Sequence, residues 1–399
     1  MGESFFIFLL ILIALAAFAR DDFAFHLLYL FAGAYLVSRW WSRRSLSALR
    51  IQRDFTPRAF PDEIVPVTLR LHNTSRLPLV WLRMSDNLPL EISDTRSFQQ
   101  IISLAPRSQL TLNYTLQARK RGCYPVGPFQ ALTGDLLGLT EEQSRSTESA
   151  HLTVYPRIVP LTELGLPSRA PLGTLRHSQP IFEDPTRPIG KRDYAPGDSL
   201  RRVDWKTSAA TRRLQVKQFE PSIDLQTSIF LNLNHNEYHP QTRLDAIELA
   251  IVAAASVANW VIERKQPVGL FTNGIDPHST ATPAAAQPIP AAKGRAHLMR
   301  LLETLARIQS AETTPLVQLL HSQTALLGWG ATLVLITGQP DEPLLDQILR
   351  ARRAGLNAVL LTCGTIANFQ AFQQRAARIG VPIHALRRTR DLAQWQGAA

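Results

Sequence analysis

Two apolar runs open this chain and constrain where the rest of it can sit. The first opens on Ser4, closes on Ala19 and reads SFFIFLLILIALAAFA without a charge. Arg20-Asp21-Asp22 interrupts it, and a second run from Phe23 to Val37 reads FAFHLLYLFAGAYLV. Each is slightly short of the ~20 residues that span a bilayer as a helix. The first covers roughly 24 Å at the helical rise per residue, and local thinning and flanking side chains absorb such a mismatch. Trp40-Trp41 follow the second run directly, where indole rings settle at a membrane interface. A transmembrane helical hairpin is therefore expected over residues 1–42. A secretory signal peptide would carry Lys or Arg ahead of its apolar stretch, and none is present here. Burial of the hairpin in a soluble core is the remaining arrangement for runs this short.

Arg39, Arg43, Arg44, Arg50 and Arg53 crowd behind the second run, whereas the turn holds one Arg against two Asp. Basic residues are retained on the cytoplasmic side, so a multi-pass plasma-membrane protein with its soluble domains in the cytoplasm is expected, the bilayer being its first partner. At 399 residues and 45% hydrophobic content, the chain has room for two ordinary domains beside the anchor. A net charge of +11 permits contact with anionic lipid, nucleic acid or an acidic protein and selects none of them. Cys123 and Cys363 are the two cysteines, too far apart in sequence for a disulfide framework or a thiolate metal cluster.

Over residues 46–158 the pattern alternates with period two. Val65-Pro66-Val67-Thr68-Leu69-Arg70-Leu71-His72 and Leu110-Thr111-Leu112-Asn113-Tyr114-Thr115-Leu116-Gln117 are the clearest runs, with shorter ones at Leu79–Met84 and Leu152–Tyr155. Such strands between turn residues imply an Ig-like antiparallel β-sandwich. No catalytic constellation falls in it.

Residues 159–225 begin as a Pro-, Arg- and Ser-rich linker and then carry the most distinctive stretch, RDYAPGDSLRRVDWKTSA, followed by LQVKQFE. Pro196-Gly197-Asp198 has the composition of a tight turn. Arginines interleave with Asp193, Asp198 and Asp204, and Trp205 offers a face for a guanidinium. Three readings stay open: an interdomain clasp in which Trp205 packs in a core, a docking surface for an acidic partner, and a nucleic-acid grip. The interleaved acids count against the last, so no nucleic acid is expected.

This stretch resembles the signature of the domain of unknown function 58 family. Arg192, Tyr194, Pro196, Gly197, Asp198, Arg201 or Arg202, Asp204, Trp205, Lys206, Ser208, Ala209 and Glu220 fill its positions. Upstream, Arg121-Gly122-Cys123-Tyr124 and Asp135-Leu136-Leu137-Gly138-Leu139 resemble two further elements, with Leu136 and Leu137 departing from the usual Pro and Phe. The resemblance implies a two-helix anchor, a von Willebrand A-like domain, and partnership with a MoxR-type AAA+ ATPase in protein maturation or cell-envelope work.

From residue 226 to 390 apolar strands alternate with helices, as in a doubly wound parallel sheet covered on both faces. Strands are expected at 227–233, 267–272, 331–337, 357–362 and 381–386. A helix over 243–265, with Leu244, Ile247, Ile251, Ala254, Ala258 and Val261 on one face, reads as a core helix despite its apolar length. The Ala- and Pro-rich stretch 280–293 reads as an exposed loop. The resemblance would place Mg²⁺ after the first strand, yet Asn232, Asn234 and Asn236 stand at its ligand positions, and Gly338 stands where a later carboxylate belongs. Neutral amides hold Mg²⁺ poorly, so no metal or other cofactor is expected there. His235-x-Glu237-x-His239 lies alongside without a zinc-type spacing.

Neither a phosphate-binding G-x-x-x-x-G-K-[ST] loop nor G-x-S-x-G is present, and no activated nucleophile is legible. The expectation is a non-enzymatic, membrane-anchored scaffold or assembly factor. A metal-dependent adhesion module, a nucleic-acid binder and a hydrolase are its rivals, and self-association stays open.

Overall fold

The computed structural model describes residues 7, 10–14, 22–134, 141–145, 149–161, 183–195, 199–200, 203–221, 226–277, 284–366 and 369–393. Two compact units divide the chain. One comprises Met1–Arg157 with Leu302–Arg307, and the other Ile158–Leu301 with Ile308–Ala399.

The first unit begins with helix α1 (Asp22–Ser47). Its N-terminal part leaves Phe23, Tyr29, Leu30, Leu36, Val37 and Trp40 exposed, while Ser42, Ser45 and Leu46 are buried. Ser4 and Ala19 lie outside the described residues, but Ile7 and Leu10–Ala14 are helical, with Leu10 and Ile11 also exposed. The helix does not end where the apolar run ends. It continues through Ser47, because Leu46 inserts into the sandwich core and its C-terminal turns lie against the strands. Trp41 ties this end of the helix to the strands: its indole N–H donates to the Pro78 carbonyl at 3.1 Å. Arg43 likewise pairs with Glu142 at 2.7 Å.

Among the described residues ten strands follow: β1 (Leu49–Asp54), β2 (Arg58–Ala59), β3 (Ile64–Asn73), β4 (Leu79–Asn87), β5 (Ser97–Leu104), β6 (Gln109–Gln117), β7 (Gly122–Val126), β8 (Phe129–Gly134), β9 (Glu141–Arg145) and β10 (Ala150–Val154). They form sheets ordered β1-β3-β6, β5-β4-β8-β9 and β2-β10-β7. All pairings are antiparallel except β2 with β10, a short parallel departure from the expected pattern. The period-two runs do what their spacing requires. In β3, Val65, Val67, Leu69 and Leu71 are buried on one side, while Ile64, Pro66, Arg70 and His72 face outward.

One core gathers Val65, Val67, Tyr114, Leu116, Val126, Leu152 and Val154. A second gathers Leu46, Leu69, Leu71, Leu82, Met84 and Phe129, and Phe98 packs against both. Between them lies a buried polar knot. Arg53 Nη2 reaches Asp86 Oδ1 at 2.5 Å, Arg53 Nη1 donates to the Val126 carbonyl at 2.9 Å, and the Tyr114 hydroxyl donates to Asp86 Oδ2 at 2.7 Å. Asp86 is fully buried, so these bonds offset the cost of removing its charge from water. The R-G-x-Y element has a steric basis. The Tyr124 ring lies over Gly122, where a Cβ would sit 2.7 Å from Tyr124 Cζ, and the Tyr124 hydroxyl shares its one proton between the Lys120 and Arg121 carbonyls.

In the second unit residues 162–182, the bulk of the expected linker, lie outside the described residues, and a hairpin takes up its last residues. β11 (Glu183–Asp193) pairs antiparallel with β12 (Gln215–Pro221), and the short helix α2 (Trp205–Thr211) is carried between them. Next come β13 (Thr227–Leu231), a 3₁₀ turn at His235–Glu237, α3 (Arg243–Glu263), β14 (Val268–Thr272), β15 (Ile275–Asp276), β16 (Ala284–Ala285) and β17 (Ile289–Ala292). They are followed by α4 (Arg295–Arg307), α5 (Leu316–Thr324), β18 (Thr332–Thr337), α6 (Glu342–Arg353), β19 (Asn357–Cys363), α7 (Phe369–Arg378), β20 (Ile383–Leu386) and α8 (Thr389–Ala393).

The main sheet runs β17-β14-β13-β18-β19-β20, and its last five strands are parallel. The 280–293 stretch is not simply a loop, because β17 pairs antiparallel with β14 and closes that edge. Pro290 hid it from sequence reading, since proline is tolerated on an edge strand but unexpected within a sheet. Strand residues Phe230, Leu333, Leu335, Ala358 and Leu360 pack with α5, α6 and α7 in one core. The intervening residues, among them Ile229, Leu231, Val334 and Ile336, are equally buried and project to the opposite face by the period of a strand. There α3 lies against β13, β14, β18 and β19.

Among the described residues α3 is the helix long and apolar enough to cross a membrane, and 72% of its apolar window is buried inside the protein. Its burial extends round most of its circumference rather than along one stripe. Leu244 is the exception to the expected buried face. It sits in the first turn, at the sheet's C-terminal edge, and is 72% exposed.

Candidate functional site

Two groups of residues stand out from the packing, and each is built by local backbone geometry. The first is the α2 hairpin. Asp204 caps α2, its Oδ1 accepting from the Thr207 N–H at 3.1 Å. Lys191 on β11 lies 2.9 Å from Asp204 Oδ2 and also bonds the Thr207 hydroxyl. The Lys191 ammonium, with help from the Thr207 N–H, holds the Asp204 carboxyl down at about 2. Ser208 is the buried residue of α2. Its hydroxyl donates to the Asp204 carbonyl at 2.7 Å and accepts from the Gln215 N–H at 2.8 Å, stitching the helix to β12. The Tyr194 N–H donates to the Leu214 carbonyl at 2.8 Å, and the Arg192 guanidinium reaches the Asp193 carbonyl at 3.2 Å.

Trp205 contradicts the clasp reading. It occupies the first position of α2 and is 66% exposed instead of packing in a core. Lys206, Arg212 and Arg213 are exposed beside it, as are Leu200 and Leu214. Gly197, Asp198, Arg201 and Arg202 lie outside the described residues. Sequence reading missed Lys191 and Gln215, which a strand hairpin in place of a linker would have paired with Asp204 and Ser208.

The second group lies at the C-terminal ends of the central parallel strands, where ligands of such sheets collect. Asn232 follows β13, Asn273 follows β14, and Thr337 ends β18; all three are buried. Asn232 Nδ2 donates to Glu237 Oε2 at 2.7 Å and to Thr337 Oγ1 at 2.8 Å. Asn232 Oδ1 accepts from the Asn234 N–H at 3.0 Å and from Asn273 Nδ2 at 2.9 Å. Asn273 Oδ1 in turn accepts from the Leu233 N–H at 2.6 Å. The Glu237 carboxylate also takes the Leu316 N–H at 3.1 Å, the first amide of α5, and Asn234 Nδ2 at a longer 3.4 Å. Burial pushes the Glu237 carboxyl up from its ordinary value, against the pull of these donors.

The three asparagines thus divide two to one. Asn232 and Asn234 converge on Glu237, whereas Asn236 turns away to Glu312 at 2.9 Å. The amide group of Asn232 turns its donors inward, one to the Glu237 carboxylate and one to Thr337, which is the wrong polarity for a cation. At Gly338 a Cβ would lie 2.3 Å from Tyr238 Cδ1 and 2.7 Å from the Glu237 carbonyl oxygen, so the Tyr238 ring fills the space of the missing carboxylate. Tyr238 is held there by its hydroxyl, which donates to the Asn232 carbonyl at 2.6 Å. His235, Glu237 and His239 do not converge either, since His235 Nε2 pairs with Ser310 at 2.8 Å. Among the described residues no three His, Cys, Asp or Glu side chains are placed to hold a metal ion. Glu237 and Asn273 were missed as partners of this edge. A signal existed, since FLN, FTN and LIT each end a buried strand on a polar residue.

A mixed α/β unit whose strand ends are tied by amides, carrying a capped helix on a hairpin, is the class that this geometry defines. Residues 190–359 match the family described as protein of unknown function DUF58, a span that includes α2, Asn232, Glu237 and β18. The chain is 26% identical over 285 residues to the uncharacterized protein YeaD of Bacillus subtilis, covering 70% of this chain and 67% of that one. It is 28% identical over 127 residues to the uncharacterized protein Rv1480 of Mycobacterium tuberculosis, of which it spans 37%. Among solved structures, a von Willebrand factor type A protein from Catenulispora acidiphila aligns with 45% of this chain and 42% of its own, at 11% identity and a TM-score of 0.30.

Proposed function

We propose that this chain is a membrane-tethered, non-enzymatic scaffold that presents the Trp205 hairpin to a protein partner. The observation that carries the tether is the exposed apolar flank of α1. Tyr29 is 70% exposed, Phe23 67% and Leu36 64%, while the other end of the same helix is fixed in the sandwich by Leu46 and Trp41. Water penalises such a contiguous apolar surface and lipid does not. The arginines behind it favour a cytoplasmic body. Arg53, counted with them in sequence, serves the buried Asp86 instead.

The docking role rests on the exposed Trp205 together with Lys206, Arg212 and Arg213, exposed on and just after the same short helix, an aromatic and cationic set of the kind that fits an acidic protein surface. A MoxR-type AAA+ ATPase is the partner we assign, and it would supply the nucleotide chemistry for which this chain has no phosphate loop. Carbonate washing and ultracentrifugation of full-length protein test the tether, which fails if the protein stays in the supernatant. A reporter on Ala399 tests the orientation. Capture from detergent extract with and without Trp205→Ala tests the docking face, which fails if an AAA+ ATPase is never recovered or is recovered equally with both.

A further inference from the structure

The donors at the strand ends do not merely tolerate Glu237; they form a receptor for a carboxylate. Asn232 Nδ2, Asn234 Nδ2 and the Leu316 N–H all point at one carboxyl group, and Leu316 begins a helix whose N-terminus favours negative charge. Asn232 is locked in that orientation, because its Oδ1 is committed to Asn234 and Asn273 and its other amide hydrogen to Thr337. The receptor therefore exists independently of the side chain that fills it. That side chain comes from a three-residue 3₁₀ turn, His235–Glu237, not from a strand or a long helix. Desolvation outweighs the donors' pull on its carboxyl, so Glu237 would regain hydration on leaving.

We infer that Glu237 is an intramolecular plug in a carboxylate-binding pocket at the C-terminal edge of the sheet, and that a carboxylate from outside the chain takes its place on Asn232, Asn234 and the α5 N-terminus. The ligand class is a carboxylate bound through N–H donors without a metal ion. This inference is independent of the tether and of the Trp205 docking face.

The test uses full-length protein in detergent micelles, as wild type, Glu237→Ala and Glu237→Gln. Thermal unfolding is followed while sodium formate is titrated against sodium chloride at equal ionic strength. Formate should raise the midpoint of Glu237→Ala saturably, by roughly 3–6 °C at tenfold excess over its dissociation constant, and move wild type in the same sense only at higher concentrations, because there it must first displace Glu237. Glu237→Gln fills the pocket with one acceptor fewer and should respond more weakly in the same sense. It carries the comparison alone if Glu237→Ala does not fold. A second arm replaces formate with acetyl-Gly-Glu-Gly-amide. A response to both assigns the carboxylate to a polypeptide side chain, and a response to formate alone assigns it to a small acid. Equal effects of formate and chloride on the variants, a formate effect on wild type equal to that on Glu237→Ala, or no formate effect on wild type at any concentration, would overturn the inference.

Discussion

Lys191 Nζ stands 2.9 Å from Asp204 Oδ2, joining strand β11 to the cap of α2 across the signature hairpin. Because the Asp204 carboxyl titrates at about 2 in the folded chain and at ~3.9 when unfolded, its contribution to stability is fully present above the unfolded value. It is lost as pH falls from there through the folded one. Amide-exchange protection of Thr207 should therefore persist below about pH 4 in wild type. Asp204→Ala should abolish that protection at neutral pH, while Asp204→Asn should retain most of it, since Asn caps as well as Asp. Exchange mass spectrometry on the α2 peptide reads all three.

Trp205 is 66% exposed, so it should matter for binding and not for folding. Trp205→Ala is expected to change the unfolding free energy by less than about 0.5 kcal/mol in urea denaturation. A loss of several kcal/mol would restore the clasp that its exposure argues against.

The Arg53–Asp86–Tyr114 knot makes the opposite prediction. Asp86→Ala leaves the Arg53 charge without its partner in the core and should cost about 3–5 kcal/mol. Tyr114→Phe removes one bond to a charged acceptor and should cost about 1.5–3 kcal/mol. Burial, and then the Asp86 charge, hold the Tyr114 hydroxyl far above its ordinary range. The folded state keeps that proton while the unfolded chain releases it, so stability should fall as pH rises past ~10. Ultraviolet titration of tyrosinate alongside circular dichroism should show Tyr114 ionising only as the sandwich unfolds.

Gly338→Ala should destabilise the second unit by about 1–3 kcal/mol, because the added methyl meets the buried Tyr238 ring and the Glu237 carbonyl. Tyr238 cannot move without releasing Asn232. Urea denaturation gives the cost, and amide shifts at Asn232 and Asn234 would report the disturbance.

Much of this architecture was legible where one periodicity governed a whole element. Val65–His72 and Leu110–Gln117 bury alternate side chains as their spacing demands, and the apolar runs TSIFL and TLVLIT became adjacent central strands. What sequence did not reveal depends on tertiary contact. The extension of α1 through Ser47 follows from Leu46 finding a core that no local pattern announces. The β11–β12 hairpin was obscured by charge and proline, and its register rests on cross-strand bonds. At the site, the three asparagines were visible as a poor cation shell, but the carboxylate that two of them, Asn232 and Asn234, enclose came from a turn residue that looked like part of a histidine motif.

The edge strand β17 carries one more consequence. An outermost strand usually offers a row of open amides on which a neighbouring molecule can template growth. Pro290 removes a donor from a strand only four residues long. Fibrillar stacking through that margin is thereby discouraged.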